Sequence, residues 1–231
     1  MFKADKSFFE IFPNAKLGVV VIKNMDNTKN SDEIITLLEN ANEEAKKYLV
    51  NEQLSENEVI KVYREAYTKF KTKKGARSSI EALLKRVKQG KPVGNINPLV
   101  DIYNSASLKF GLPCGAEDID TFKGDLELTI TSGGDDFYPL GDDKNEPTLD
   151  GELCYKDELG AVCRCFNWRD GVRTMITEST KNAFIIMELI DENRENVLNE
   201  ALDYIVENSK KYTLGDANKY ILDRENSSLE L

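Results

Sequence analysis

Histidine is absent from the 231-residue chain. Its absence excludes Ser-His-Asp and Cys-His nucleophile systems, HExxH zinc sites and imidazole acid–base chemistry. Any catalysis must use carboxylates, Lys, Tyr, Cys, Ser or Thr, backbone dipoles, a metal on oxygen or sulfur, or the substrate's own groups. Cysteine is sparse. Cys114, Cys154, Cys163 and Cys165 form no CxxC pair, and their spacing is unlike zinc ribbons or knuckles. Reduced thiols in a core or near a site are expected, with no metal and no cofactor. Cys163 and Cys165, two apart in an expected strand, face the same side. Asp135-Asp136 and Asp142-Asp143 lack EF-hand spacing and flank Gly-rich turns, so they read as solvated loops. No apolar run reaches the ~20 residues needed to span a bilayer. The start, MFKADKSFFEIFPNAK, lacks the basic-then-apolar pattern of a signal peptide. A cytoplasmic protein with no membrane partner is therefore expected.

Hydrophobic residues make up 40% and charged residues 31%, so the chain can bury a core and remain soluble. Its length fits one large domain, or one domain plus an appendage. Charge is uneven. Lys and Arg number 31 and Asp and Glu 41, for a net charge of −10. Residues 61–91 hold eleven basic side chains and only two acidic ones, a local +9 against −19 elsewhere. Global acidity argues against a non-specific nucleic-acid binder and against DNA. The basic stretch is either a solvated helix surface or a patch for one polyanion, with Lys69, Lys71, Lys73, Lys74, Lys85, Arg86 and Lys88 as its contact residues.

The hydrophobic period predicts helices first and strands later. Residues 17–22 (LGVVVI) read as a buried strand. Helices are expected over 32–50, from a Ser55/Glu58 capping box through Phe70, and from a Ser78/Glu81 capping box to Gly90. Asn97-Pro98 opens another helix that Gly111 and Pro113 close. Short strands follow over Leu126–Thr131, Phe137–Leu140, Glu152–Tyr155 and Ala161–Trp168, then a buried run over Phe184–Ile190. Residues 193–211 return to helix. This order reads as an α+β fold.

Asn97–Asp120, NPLVDIYNSASLKFGLPCGAEDID, is the most distinctive segment. Leu99–Asn104, Leu108–Pro113 and Asp118–Asp120 resemble the "VVDVTN…LELGQP" helix and "D-x-D" turn of the B3/B4 domain of the bacterial phenylalanyl-tRNA synthetase β-subunit. Ile176–Thr180 resembles that family's "VT-E-T" segment. The forms GLPCGAEDID and CFNWRDGVRTMITEST look more like the free-standing members. The resemblance implies a three-layer β/β/α domain with additional N- and C-terminal helices. It implies one domain over 1–231, with a family core at 75–191 on which a strand and helices from residues 1–74 pack. It also implies an editing activity, hydrolysis of the ester of a misacylated tRNA. Two positions depart from the synthetase pattern. Gly115 stands where a histidine follows "GQPL", and Met175 where a glutamate precedes the "VT" pair.

Several residues are candidates for the site. Arg77-Ser78 open a helix, where Ser is a cap and a helix start can also hold an anion. Asn104 lies mid-helix, where Asn is a poor helix former, and either bonds a loop or faces a cavity. Glu117 follows a Pro-Cys-Gly turn. There it serves the turn or orients water and holds an amino group. Trp168, Arg169, Arg173 and Thr174 leave a strand, and their aromatic wall with two arginines suits a carboxylate, a phosphate or a stacked base, or else an ordinary hairpin. A cleft lined by Trp168 and Asn104 is expected between the strands and helix 98–110. Two functions stay open. One is a deacylase acting in trans on misacylated tRNA, with Glu117 and Asn104 catalytic. The other is a non-catalytic module binding tRNA or an amino-acid-like small molecule. Nothing in the sequence fixes an oligomeric state.

Overall fold

The apolar run at residues 17–22 has no polar alternation because both of its faces are covered. It forms the strand Lys16–Lys23, second in the chain and hence β2. The computed structural model describes residues 1–231. The remaining strands are β1 (Phe2–Ala4), β3 (Gly115–Asp118), β4 (Leu126–Thr131), β5 (Glu152–Asp157), β6 (Gly160–Arg164), β7 (Arg169–Asp170), β8 (Ala183–Leu189), β9 (Asp216–Leu222) and β10 (Ser228–Leu229). The helices are α1 (Lys6–Ile11), α2 (Asp32–Glu44), α3 (Glu58–Ala66), α4 (Ser79–Lys88), α5 (Pro98–Phe110) and α6 (Glu195–Tyr212).

The strands form two sheets, one in the order β10-β1-β4-β5-β6-β7 and one in the order β3-β8-β2-β9. Within the second, β2 lies antiparallel to β8, with Val19 opposite Ile186, and antiparallel to β9. Phe2, Leu128, Tyr155 and Val162 of the larger sheet pack against Leu17, Val19, Phe184 and Ile186 of the smaller. On the other face of the smaller sheet, Val20, Ile22, Ile185 and Met187 meet Leu99 and Ala106 of α5 and Leu198 and Leu202 of α6. Helix α6 sits close on β2 because residue 18 is glycine. A Cβ there would lie 2.7 Å from Leu198 Cδ1. The result is the β/β/α layering that the resemblance implies. Helices α2, α3 and α4 form a satellite cluster through Leu38, Ile60 and Leu84, joined to α5 by Leu108. No helix is long and apolar enough to cross a membrane.

Helix α5 begins and ends as its sequence predicts. Asn97 accepts from the Val100 amide, Pro98 occupies the first turn, and Gly111 closes the helix at φ 61°. Other expectations are corrected. Ser55 lies in a 3-10 turn, and α3 starts after Asn57, whose amide instead bonds backbone atoms of residues 51–54. Helix α3 stops at Ala66, four residues before Phe70. The Ser78/Glu81 capping box does not form: the Ser78 hydroxyl makes no cap bond, and the Glu81 carboxylate is taken by Arg64 in a two-point ion pair at 3.0 and 2.6 Å. Phe137–Leu140 is not a strand. Phe137 is buried beneath the Arg164 guanidinium, and only Pro139 bridges to the sheet. Asp135 is not a loose loop residue, since it accepts from Thr148 Oγ1 and pairs with Lys156. β1, β3, β9 and β10 carry no strong strand signal, being short or half exposed, and pairing with neighbours forms them.

Candidate functional site

The strand expected over Ala161–Trp168 ends at Arg164. Cys165 (φ 49°) and Phe166 (φ 55°) are left-handed and reverse the chain, so that Arg169–Asp170 pairs back onto Cys163–Arg164. Each such non-glycine residue costs about 1 kcal/mol or more, and contacts around it must hold it there. The Tyr67 hydroxyl donates to the Cys165 carbonyl at 2.5 Å, and the Cys165 amide donates to the Leu153 carbonyl at 2.8 Å. The Phe166 ring packs among Phe8, Phe12, Tyr67 and Phe70. Cys163 and Cys165 are thus both buried between the sheets, but not as alternate members of one strand. The turn directs Asn167 inward and brings Asp170 beside Cys163.

Three acids meet where the layers join. Glu117 of β3, Cys163 of β6 and Asp170 of β7 place their thiol and carboxyl atoms within 4.8 Å of one another. Cys163 Sγ donates to the Phe166 carbonyl at 3.0 Å and approaches Asp170 Oδ1 at 3.2 Å. Thr174 lies alongside, since its carbonyl accepts from the Asp118 amide at 2.8 Å and Met175 bridges to Glu117. Glu117 Oε2 and Thr174 Oγ1 are both buried and near each other, yet neither completes a well-formed hydrogen bond. Each such atom costs about 1–3 kcal/mol, and a native protein keeps one for a reason.

Burial pushes the Glu117 carboxyl well above its usual range, and the nearby Asp170 adds to this. Burial also raises Asp170, and burial with Asp170 and Glu117 raises the Cys163 thiol. Tyr103 of α5 stands close enough for Asp170 and Glu117 to add to the effect of burial on its phenol. The three could ligate a metal by type, but the Cys163 bonds are those of a protonated thiol. The arrangement brings two carboxyls and a thiol together with no ion-pair partner, and burial and mutual proximity favour their protonated forms. Asp170 and Tyr103 are half-buried, whereas Glu117, Cys163 and Thr174 are buried.

A second buried network lies behind the first. Glu188 of β8 accepts from the Tyr155 hydroxyl and from Asn167 Nδ2, both at 2.6 Å. Burial raises this carboxyl to about 8. Asn167 also fills the space beside Gly115, where any Cβ would collide with its side-chain oxygen and carbon. The position at which the synthetase pattern has histidine therefore has no room for a side chain while Asn167 holds this place.

The model of the B3/4 domain matches residues 62–217. The chain belongs to the B3/4 domain family. Curated proteins give no match. Among solved structures, an N-terminal fragment of the phenylalanyl-tRNA synthetase β-subunit from Pyrococcus horikoshii is similar over 94% of this chain at 13% identity, with a TM-score of 0.49. The chain spans half the length of that fragment.

This B3/4 domain brings together only some of the residues singled out from sequence. Glu117 and Thr174 meet. Arg169 and Arg173 are committed to the protein's own carboxylates. Arg169 pairs with Glu146 at 3.3 Å, and Arg173 grips buried Asp157 at 2.7 and 2.8 Å. Trp168 is half buried at the rim of the inter-sheet core. Asn104 lies one turn before Leu108, which packs toward α2–α4, while Tyr103 turns to the sheet side. None of the main surface clefts is lined by Trp168 or Asn104. Arg77 and Ser78 line a separate cleft with Arg64, Tyr67 and Glu81.

The basic stretch is only partly free. Lys73 pairs with Glu146 at 2.6 Å, Lys69 lies over the Phe12 ring, and Arg86 and Lys88 bond backbone carbonyls. Lys71, Lys74 and Lys85 are exposed without an ion pair. Tyr103, Cys163, Asn167, Asp170 and Glu188 were not legible as site residues. They lie on four different elements and one turn, and no local pattern links them.

Proposed function

We propose that this B3/4 domain hydrolyses the ester of a misacylated tRNA in trans. The observation that carries the reading is the pair of buried, unpartnered atoms, Glu117 Oε2 and Thr174 Oγ1, beside Asp170. An aminoacyl ester offers an ammonium group and a carbonyl oxygen one bond apart from each other's carbon. The ammonium entering beside Glu117 and Asp170 supplies the missing cation, and the carboxyls ionise to match it. Thr174 donates to the carbonyl oxygen, where charge develops as water attacks. A carboxylate of the pair accepts the water's proton as the new carbon–oxygen bond forms, and returns it to the leaving ribose oxygen as the ester carbon–oxygen bond breaks. Attack on an activated ester asks mainly for positioning, so the lack of histidine is no obstacle. Asn167 fills the space beside Gly115 that a histidine takes in the synthetase pattern, so an amino-acid side chain bound there meets a different wall.

The second reading is a non-catalytic module for tRNA or an amino-acid-like molecule. The same filling of the Gly115 position favours it. A panel of misacylated tRNAs separates the two. Hydrolysis above background, lowered at least tenfold by Glu117→Gln and by Thr174→Val, supports the deacylase. No hydrolysis across the panel, with the folded protein still binding tRNA, supports the module.

A further inference from the structure

A cleft of about 450 Å³ opens at the start of α4, lined by Arg64, Tyr67, Gly75, Arg77, Ser78 and Glu81 among others. It lies apart from the Glu117 cluster, and three features of it are unexplained by the fold. Ser78 is 2% exposed, yet its hydroxyl has no hydrogen-bond partner. Helix α4, ten residues long, has no side-chain cap. The amides of Ser79, Ile80 and Glu81 donate to nothing in the protein. A helix start left in this state presents several donors and the positive end of the helix dipole to one point. The carboxylate in the cleft, Glu81, is neutralised by its two-point pair with Arg64. Arg77 makes no ion pair, and only its Nε is used, on the Gly75 carbonyl at 3.2 Å.

We infer that this cleft is a phosphate subsite, with the α4 amides and the Ser78 hydroxyl as donors and Arg77 as the cation. Several convergent donors with a planar guanidinium suit a tetrahedral anion with many acceptor atoms better than a planar carboxylate. The cleft sits within the one stretch of the chain, residues 61–91, whose charge is +9 in a protein of net −10. That setting favours a phosphodiester of an RNA strand over a free phosphate, a choice that rests on the proposed tRNA function. The subsite is coupled to the Glu117 strand. Ser79 Oγ donates to the Cys114 carbonyl at 3.1 Å and accepts from its amide at 3.0 Å, three residues before Glu117. Tyr67 in the cleft wall also holds the strained turn at Cys165.

Two probes test this, inorganic phosphate and deacylated tRNA. Phosphate, compared with chloride at equal ionic strength, raises the wild-type melting temperature more than that of Arg77→Ala or Ser78→Ala, which keep only the general stabilisation that phosphate gives any folded protein. Ser78→Ala takes away a buried unpartnered hydroxyl, so it folds at least as stably as wild type. By fluorescence anisotropy, Arg77→Ala weakens tRNA binding about tenfold. It also flattens the slope of log affinity against log salt by about 0.7. Lys210→Ala, on the exposed end of α6, serves as the charge control and changes neither. The subsite is overturned if phosphate stabilises wild type no more than it stabilises Arg77→Ala. Phosphate binding without Arg77-dependent tRNA binding overturns the RNA assignment and leaves a site for free phosphate. If the wild type hydrolyses no misacylated tRNA but its tRNA binding still depends on Arg77, the deacylase reading fails and the subsite stands.

Discussion

Gly115 and Asn167 occupy one space, and that makes their substitutions non-additive. A methyl group at residue 115 lands on the Asn167 side chain, which is buried and tied to Glu188 Oε2 at 2.6 Å. Gly115→Ala must therefore displace Asn167 and break that bond. Forcing extra volume into a packed interior costs about 1–3 kcal/mol. Leaving a buried carboxyl oxygen unpaired costs about 1–3 kcal/mol more. Asn167→Ala loses the same bond but opens the space the new methyl needs. The double variant should then be no less stable than Asn167→Ala alone, giving a coupling equal to the whole cost of Gly115→Ala, about 2–6 kcal/mol. Urea unfolding of the four proteins measures it, with matching slopes checking that the compactness of the end states is unchanged. If the two single effects simply add to within about 0.5 kcal/mol, the shared-space explanation of the glycine is wrong.

Two further outcomes follow from buried charge. Burial lifts the Glu188 carboxyl from 4.5 to about 8, so between those pH values the folded protein holds a proton that the unfolded chain has released. That contribution is fully present below about pH 4.5 and declines by about 1.4 kcal/mol per unit as pH rises toward 8. Glu188→Gln keeps both contacts without the titrating proton, its Oε1 accepting from Asn167 Nδ2 and its Nε2 donating to the Tyr155 hydroxyl oxygen. Relative to wild type, it should gain about 3 kcal/mol between about pH 5.5 and 7.5 in urea unfolding, and a pH-independent difference would falsify the assignment. Arg164 and Glu152 form a bidentate pair at 2.6 and 2.5 Å, with exposures of 1% and 0%. Arg164→Met strands the Glu152 charge and costs about 3–5 kcal/mol, or about 10 °C in melting temperature. Adding Glu152→Gln should recover most of that loss by calorimetry, and no recovery would mean that Arg164 acts through packing alone.

The local sequence was a good guide wherever one element carries its own signal. Asn97, Pro98 and Gly111 delimit α5 because capping and the left-handed closing position are short-range chemistry. LGVVVI announced a strand covered on both faces. The same approach failed at the Ser78/Glu81 capping box, whose Glu81 half is taken by Arg64 from another helix while the Ser78 hydroxyl is left without a partner. It failed again at Ala161–Trp168, where the pattern reads as one strand. The reversal at Cys165 and Phe166 is sustained by Tyr67 and by aromatic rings distant in sequence. Arg169 and Arg173 looked like ligand-binding cations, but folding supplied Glu146 and Asp157 as their partners.

By itself, the sequence determined what chemistry is available: no imidazole, a +9 stretch in an acidic chain, the α+β order of elements and the segments that mark a B3/4 domain. Those properties are written in residue identity and short spacing, and folding does not alter them. Only the tertiary structure decided which acids stand together. Glu117, Cys163 and Asp170 come from three strands in two sheets, and their shared burial raises all three at once. Desolvation and Coulomb coupling act over a few ångströms of space, whatever the distance along the chain.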